Sequence, residues 1–157
     1  MKKKIWLSVG LLVLLILIIL GVIWGPKVFS FYWYEYLSQK YLAEFEEIEL
    51  SYKVDKNGGS TPQETLDLFV SALRAKDAKL AASYFVPEKR GEMEKEFKVG
   101  FKNGGVELLL EDINKIEQEN LVGNDKFEFV VLDDNRVLFT YSLIKNKFSQ
   151  KWLIESL

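Results

Sequence analysis

The pattern of hydrophobic positions changes several times along the chain, and it begins with a long apolar run. Residues 5–24 contain no charged side chain, and residues 11–20 are only leucine, isoleucine and valine. As an α-helix rising about 1.5 Å per residue, such a run covers about 30 Å, which is the thickness of a bilayer's hydrocarbon core. The pattern therefore predicts a transmembrane helix over residues 5–25.

A cleaved secretory signal is the alternative interpretation of this run. Such a signal is shorter, with an apolar stretch of roughly 7–15 residues, and it ends in small residues. Here the run ends with bulky Trp24 close to Pro26, so an uncleaved anchor is favoured. Residues 2–4 are all lysine and only Lys27 follows the run closely. The positive-inside rule then predicts a single-pass cell-membrane protein with a cytoplasmic N-terminus and an extracytoplasmic C-terminal domain.

Aromatic residues dominate the segment after the apolar run. Eight of them lie between residues 29 and 45, and several recur every four residues, which places them on one face of a helix. Because Trp and Tyr have an apolar body and a hydrogen-bonding tip, they settle at the headgroup level of a bilayer. The predicted membrane-interface anchors are Trp24, Phe29, Trp33, Tyr36 and Tyr41. A face for a partner helix is the alternative.

Residues 48–54 change to a period of two, because apolar and polar side chains alternate there. This alternation predicts a short strand, and the turn-forming residues 55–60 predict a linker. The predicted organisation is a cytoplasmic tail, a transmembrane helix, a juxtamembrane aromatic helix with a short strand and linker, and an outer domain. Their boundaries are 1–4, 5–25, 26–59 and 60–157.

The outer domain begins with helix signals. Thr61 and Glu64 have the spacing of a capping box around Pro62, and apolar residues at helical spacing follow. Further start and stop signals fit a second short helix and a third helix. These signals lie at Asp77, Pro87 and Gly104.

Strand patterns follow the helices and define an α+β domain. Residues 106–110 fit either a helix or the approach to the first strand, and Glu111 and Asp112 fall near that strand's start. Because the turns between the later strands are short, as at 133–135, we expect an antiparallel sheet with residues 136–144 as a central strand. The predicted strands cover residues 110–120, 127–132, 136–144 and 148–154.

Composition excludes several kinds of chemistry. The chain has no cysteine and no histidine, which removes thiolate metal sites, thiol catalysis and the commonest general base. No metal, cofactor or catalytic residue is therefore assigned. The formal net charge is −2, whereas a nucleic-acid-binding protein normally has a basic excess. Nucleic acid is not an expected partner.

The outer domain resembles a known family in residues 60–157. The segments Thr61–Leu73, Ala81–Phe85 and Lys151–Ile154 are similar to the nuclear-transport-factor-2-like superfamily, and most similar to its small extracytoplasmic, lipoprotein-like bacterial members. The resemblance implies a curved antiparallel sheet wrapped around about three helices to form a cone, often with a pocket. Many members of the family have no enzymatic activity. The missing cysteine means that the apolar helix would replace a lipid anchor.

Five aromatic residues are candidates for the lining of such a pocket. Plain core packing is the alternative, and it is favoured because aromatic residues at helical and strand spacing usually build cores. The five candidates are Tyr84, Phe97, Phe129, Tyr141 and Trp152.

Three functions fit these observations. The first is non-catalytic binding of an envelope protein or a small apolar ligand by an anchored outer domain, with a homodimer left open. The second is a scaffold, because the bitopic subunit of type IV secretion machines has a similar layout. The third is a small isomerase or dehydratase-like enzyme, with Glu111 or Asp112 as base and Tyr84 or Tyr141 as hydrogen-bond donor.

Overall fold

The computed structural model describes the backbone of residues 2–133 and 136–157, and the side chains of residues 13–15, 18, 32–132 and 136–157. Met1–Glu46 and Glu47–Leu157 form two compact units. The helices are α1 (Lys2–Val54), α2 (Pro62–Arg74), α3 (Ala78–Ser83), α4 (Arg90–Asn103) and α5 (Gly105–Ile113). The strands are β1 (Ile116–Val122), β2 (Lys126–Asp133), β3 (Arg136–Lys145) and β4 (Trp152–Ser156).

The first unit is helical throughout its described backbone, because it contains only residues of α1. Helix at the aromatic segment agrees with the sequence pattern. Most of the predicted transmembrane segment, residues 5–25, lies outside the described side chains, as do Trp24 and Phe29. A search of the described residues finds no helix with the length and apolar character needed to cross a membrane.

The strand predicted for residues 48–54 is wrong, because these residues are the last turns of α1. Leu50 and Val54, which a half-buried strand would cover, are 59% and 67% exposed. The partly buried positions are instead Ile48, Ser51 and Tyr52. Their spacing of three and four residues belongs to one face of a helix. An alternation this short is compatible with both structures, and packing decides between them.

The predicted linker at residues 55–60 packs into the second unit, which begins at Glu47. Asp55 is 5% exposed, and Gly59 forms an isolated antiparallel bridge with Trp152. Gly58 has a φ of +92°, and a Cβ atom there would collide with the carbonyl oxygen of Trp152. Glycine at this position is therefore required both by the backbone conformation and by the close approach of β4.

The predicted helix signals at Thr61, Asp77 and Gly104 are confirmed, whereas Pro87 opens a short 3₁₀ helix, Pro87–Lys89, and α4 begins at Arg90. The Thr61 hydroxyl accepts a hydrogen bond from the backbone N–H of Glu64 at 3.1 Å, and the Asp77 carboxylate accepts one from Leu80 at 2.9 Å. These bonds satisfy backbone donors at the starts of α2 and α3. At the end of α4, Gly104 adopts the left-handed conformation with a φ of +82°, as expected of a C-terminal cap.

The predicted first strand begins too early. Residues 110–113 are the end of α5, so Glu111 and Asp112 lie on a helix and the strand starts at Ile116. Val106 and Ile113 are buried, and this separation of seven residues is two helical turns. The helix that the sequence left open for residues 106–110 is therefore present and continues further.

The sheet has four antiparallel strands in the order β1-β2-β3-β4. This confirms the predicted antiparallel arrangement and the interior position of β3. Regular pairing of β1 with β2 is interrupted between Ile116 and Gln118. Of the predicted turn at residues 133–135, Asp134 and Asn135 lie outside the described residues.

The hydrophobic core lies between the helices and one face of the sheet. Phe69 of α2 is fully buried, and its ring centroid lies 5.5 Å from that of Phe85 and 5.6 Å from that of Phe97. On the sheet, Phe129 is also fully buried, and it contacts Phe127 edge-on at 5.0 Å. Such aromatic contacts add specific geometry to the area that is buried.

Candidate functional site

The five residues proposed as pocket lining belong to one buried core cluster. Tyr84, Phe97, Phe129, Tyr141 and Trp152 are 9%, 5%, 0%, 2% and 6% exposed. They pack with other core side chains, as when Trp152 contacts Phe127 at 6.2 Å between ring centroids. The structure therefore brings the five into the core, and the cleft described below is lined by other residues.

The acidic candidates for catalysis are exposed or partly exposed, whereas the tyrosine candidates are buried. Glu111 is exposed, and Asp112 forms an ion pair with Lys115 at 2.9 Å. Burial, followed by the nearby Asp112 carboxylate, raises the pKa of Tyr141 to about 12. Burial and then Asp77 raise the pKa of Tyr84. The neutral phenol of Tyr141 packs in the core beside Phe139, at 5.9 Å between ring centroids.

A cleft of about 460 Å³ lies between α2, the end of α5 and β1. Its apolar lining is Leu66, Val70, Ile113 and Ile116, and its polar lining is Gln63, Asp67, Ser71, Arg74, Asn114 and Glu119. Its volume is within the range of small-ligand pockets, about 300–1,000 Å³. Those pockets are mostly apolar, however, whereas this cleft has three charged side chains. Its chemistry suits a polar ligand or a polypeptide segment.

The polar wall of the cleft is one face of α2. Gln63, Asp67, Ser71 and Arg74 follow one another at three or four residues, so they lie along one side of the helix. Gln63 Nε2 donates to the Asp67 carboxylate at 2.9 Å, and the Ser71 hydroxyl donates to the Asp67 backbone carbonyl at 2.8 Å. Both hydrogen bonds are formed within α2, and they fix the orientation of the polar side chains on this face.

The edge of the sheet at β4 is closed by hydrogen bonds. The backbone N–H of Trp152 donates to the Gly59 carbonyl at 2.9 Å, and the N–H of Ile154 donates to Tyr84 at 2.9 Å. The Thr65 hydroxyl also donates to the Trp152 carbonyl at 3.0 Å. The loop before α2 and the end of α3 therefore cover this edge and satisfy its polar groups.

The opposite edge, at β1, is open. Within the part of the chain that the structure describes, the hydrogen-bonded neighbour of β1 is β2, and no backbone bond joins its outer edge to another segment. All side chains from Glu117 to Val122 are exposed. Leu121 and Val122 are apolar, yet they are 63% and 45% exposed. Since Glu119 also lines the cleft, the cleft and the open edge form one continuous surface.

Sequence reasoning missed this surface. The lining residues come from α2, α5 and β1, and none is a residue type that marks a site by itself. One signal was present, because residues 117–120 are four consecutive polar side chains in a strand. Because such a strand has polar residues on both faces, neither face is expected to pack against the core. This pattern is typical of a strand at the edge of a sheet.

A second polar cluster fixes the end of α1 within the second unit. The Asp55 carboxylate, 1% exposed, pairs with Arg90 and accepts a bond from the side chain of Asn57 at 2.9 Å. Arg90 Nε donates to the Phe85 carbonyl at 2.9 Å. Burial, followed by the nearby Glu88 carboxylate, raises the pKa of Tyr52. These contacts join the end of α1 to the segment 85–90.

Metal binding has no candidate in the described side chains. No group of three acidic, histidine or cysteine residues is placed there to hold an ion.

Comparisons of the chain with protein families, with curated proteins and with solved structures find no match. The resemblance to the nuclear-transport-factor-2-like superfamily stays a prediction. The function is therefore inferred from the geometry of the cleft and the strand edge.

Proposed function

We propose that this protein is a membrane-anchored binding domain that holds a partner protein at the outer surface of a cell membrane without transforming it. Residues 5–25 are the proposed anchor, and residues 60–157 are a proposed member of the nuclear-transport-factor-2-like superfamily. The order of helices first and an antiparallel meander afterwards supports this family assignment.

The observation that carries the proposal is the contrast between a filled core and an open cleft. Trp152 and Tyr141, which a ligand-binding cone would present to its pocket, are 6% and 2% exposed. The cleft beside β1 instead opens on the surface and is continuous with a strand edge. A surface of this kind is suited to a polypeptide, because extended segments bind at sheet edges.

Exposed apolar side chains support the anchor. Val13, Leu14, Leu15 and Ile18 are between 50% and 60% exposed, in a sequence that carries no charge from residue 5 to residue 24. Burying such side chains in hydrocarbon rather than leaving them in water is favourable by about 25 cal/mol per Å² of apolar surface. A lipid bilayer is the proposed environment for this part of the chain.

Cysteine labelling tests the anchor and its orientation. Because the protein has no cysteine, Lys3→Cys and Lys102→Cys each introduce a single reactive thiol. We expect both variants in the membrane fraction. A membrane-impermeant maleimide should label Lys102→Cys in intact cells and Lys3→Cys only after permeabilisation.

Either of two results would contradict the anchor proposal. Labelling of Lys3→Cys alone in intact cells would show that the orientation is the opposite of the proposed one. Recovery of the full chain in the soluble fraction after cell lysis would show that residues 5–25 do not anchor it.

Site-specific photo-crosslinking tests partner binding. A photoreactive residue at Gln63, in the cleft, should give a discrete protein adduct in intact membranes. The matched control is the same residue at Glu92, which is exposed on α4. Equal adducts from both positions would show non-specific contact and count against the cleft. A small molecule retained by the full chain in native mass spectrometry, without a protein adduct, would favour a ligand carrier instead.

A further inference from the structure

We propose that the occupant of the cleft and the β1 edge is an extended, basic segment of the partner protein, added to the sheet as a fifth strand. This inference rests on the proposed function, because it names the kind of partner that the same surface takes. Three features of this surface support it, namely its backbone hydrogen-bonding groups, its charge and the spacing of its side chains.

The first feature is the unpaired backbone of β1. An edge strand presents alternate N–H and C=O groups outward, and proteins usually protect such an edge with charged side chains (above all lysine), proline, a bulge or a covering segment. The charges on β1 are Glu117 and Glu119, which repel an acidic strand but attract a basic one. Residues 116–122 contain neither lysine nor proline. The irregular pairing is confined to Ile116–Gln118, so Gln118–Val122 pairs regularly with β2. Five residues of regular edge are therefore available for strand addition.

The second feature is charge. Glu117 and Glu119 are exposed and β1 has no basic residue. Asp67 adds a third carboxylate on the facing wall of the cleft, where Arg74 is the basic residue of the lining. A symmetric pair of two β1 strands brings the four glutamates of both copies together, and it places glutamates directly opposite each other when it is centred on Gln118 or Glu119, which is unfavourable. A basic partner segment is therefore favoured over a second copy of this chain.

The third feature is the spacing of side chains. Glu119 and Leu121 pair with Phe129 and Phe127 of β2, so the two side chains lie on the same face of the sheet. Glu119 lines the cleft and Leu121 is 63% exposed. On that face, an added strand should place a basic side chain opposite Glu119 and an apolar one two positions away. Lysine or arginine alternating with an apolar residue is the expected pattern.

The test uses the full chain in non-ionic detergent and a synthetic peptide, Thr-Val-Thr-Lys-Thr-Val-Thr-Lys-Thr, with blocked ends. Hydrogen exchange measured by mass spectrometry should show amides of residues 116–122 exchanging about tenfold more slowly with the peptide, while β4 is unchanged. An N-methylated version with the same charge cannot form the strand hydrogen bonds, and it should give no protection. A glutamate-for-lysine version should bind at least tenfold more weakly.

Charge reversal with a matched control sharpens the test. Glu117→Lys combined with Glu119→Lys should weaken binding of the lysine peptide at least tenfold. Glu92→Lys combined with Glu96→Lys changes the net charge equally at exposed positions of α4 and should leave binding unchanged. Equal losses of affinity for the lysine peptide in the two variants would show that binding depends only on the net charge of the protein. That result would overturn the proposal.

Two further outcomes would also overturn it. Equal protection by the N-methylated peptide would exclude strand addition. Protection of residues 116–122 that rises with protein concentration, without any peptide, would make a second copy the occupant.

The peptide and crosslinking experiments together separate this inference from the proposed function. If the peptide does not protect residues 116–122 but crosslinking at Gln63 still captures a protein, the strand-addition inference fails while the proposed function stands. If crosslinking at Gln63 fails as well, both fail.

Discussion

Aromatic residues occupy opposite environments in the two units of this protein. In the first unit Trp33 and Tyr36 are 51% and 60% exposed, whereas in the second unit Trp152 and Tyr141 are 6% and 2% exposed. The residue types are the same, but only the second unit has a sheet and several helices that pack on each other. Aromatic content alone therefore does not identify a core, because a covering element is also needed.

The exposed aromatic residues of α1 are consistent with the proposed position at a membrane interface. Large exposed apolar patches in proteins usually mark contact with a membrane or another protein. Within the first unit, Trp33 and Tyr36 contact each other at 6.1 Å between ring centroids, and this contact leaves most of both rings accessible.

Replacing a core aromatic residue should have the largest effect. Phe69→Ala removes a fully buried ring that contacts Phe85 and Phe97, and we expect the free energy of unfolding to fall by about 3–5 kcal/mol. Urea unfolding of the full chain in detergent, followed by hydrogen exchange of β2 and β3, measures the change. A loss below about 1 kcal/mol would mean that this core is not tightly packed.

Removing the buried carboxylate of Asp55 should have the next largest effect. Asp55→Ala leaves the partly buried guanidinium of Arg90 without its ion pair, and we expect a loss of about 3 kcal/mol. The control is Glu94→Ala, which breaks an ion pair between Glu94 and Lys98 on the helix surface and should cost at most about 0.5 kcal/mol. Equal losses in the two variants would contradict the role assigned to Asp55.

High pH should destabilise the second unit through Tyr141. Its pKa is raised to about 12 in the folded protein, against about 10 in an unfolded chain. The stabilisation is complete below pH 10 and is lost as the pH rises towards 12, because the unfolded state releases the proton first. After allowance for solvent screening, the loss should be about 1–2 kcal/mol. Tyr141→Phe should make the loss of stability in this pH range smaller, while Tyr52 and Tyr84, whose pKa values are also raised, still contribute to it. An unchanged profile would contradict the assignment.

The N-cap of α2 should contribute less. Thr61→Ala removes the hydroxyl that accepts a hydrogen bond from Glu64, and we expect a loss of about 1 kcal/mol. Thr61→Ser keeps the hydroxyl and should recover most of the stability. If the serine variant is as unstable as the alanine variant, the effect does not come from the cap.

Replacing an exposed aromatic residue should have the smallest effect on folding. Trp33→Ala should change the free energy of unfolding of the second unit by less than about 0.5 kcal/mol. In a variant with Trp33 as its single tryptophan, brominated lipids should quench the fluorescence strongly. The same measurement with Trp152 as the single tryptophan should show little quenching, and the reverse order would contradict the assignment of Trp33 to the membrane interface.

Local signals made much of the second unit predictable. The caps at Thr61, Asp77 and Gly104 act within a few residues, so the sequence contains all that they need. Residues 48–54 and 110–113 were predicted wrongly as strand, because short segments that mix apolar and polar residues fit both helix and strand. Ile48 and Ile113 show their helical spacing only after their packing partners are known.

The cleft was much harder to predict than the elements that form it. Asp67 and Glu119 meet at one surface although they are far apart in the sequence. Neither residue stands out from the other acidic residues. Only the exposed character of β1 was visible beforehand, in the polar run from Glu117 to Asn120. The topology of the sheet then determines which helix faces that strand.

The contacts that close the sheet at β4 also set an order of events during synthesis. Trp152 bonds to Gly59 and Thr65, and Ile154 bonds to Tyr84, so segments separated by most of the second unit must meet. Such contacts have high contact order and form slowly. The ribosome synthesises residues 59–85 long before β4, so these residues stay without their hydrogen-bonding partner until β4 has been made. Until β4 emerges, the nascent domain has an unfinished sheet, and the surface of residues 59–85 that β4 later covers stays exposed.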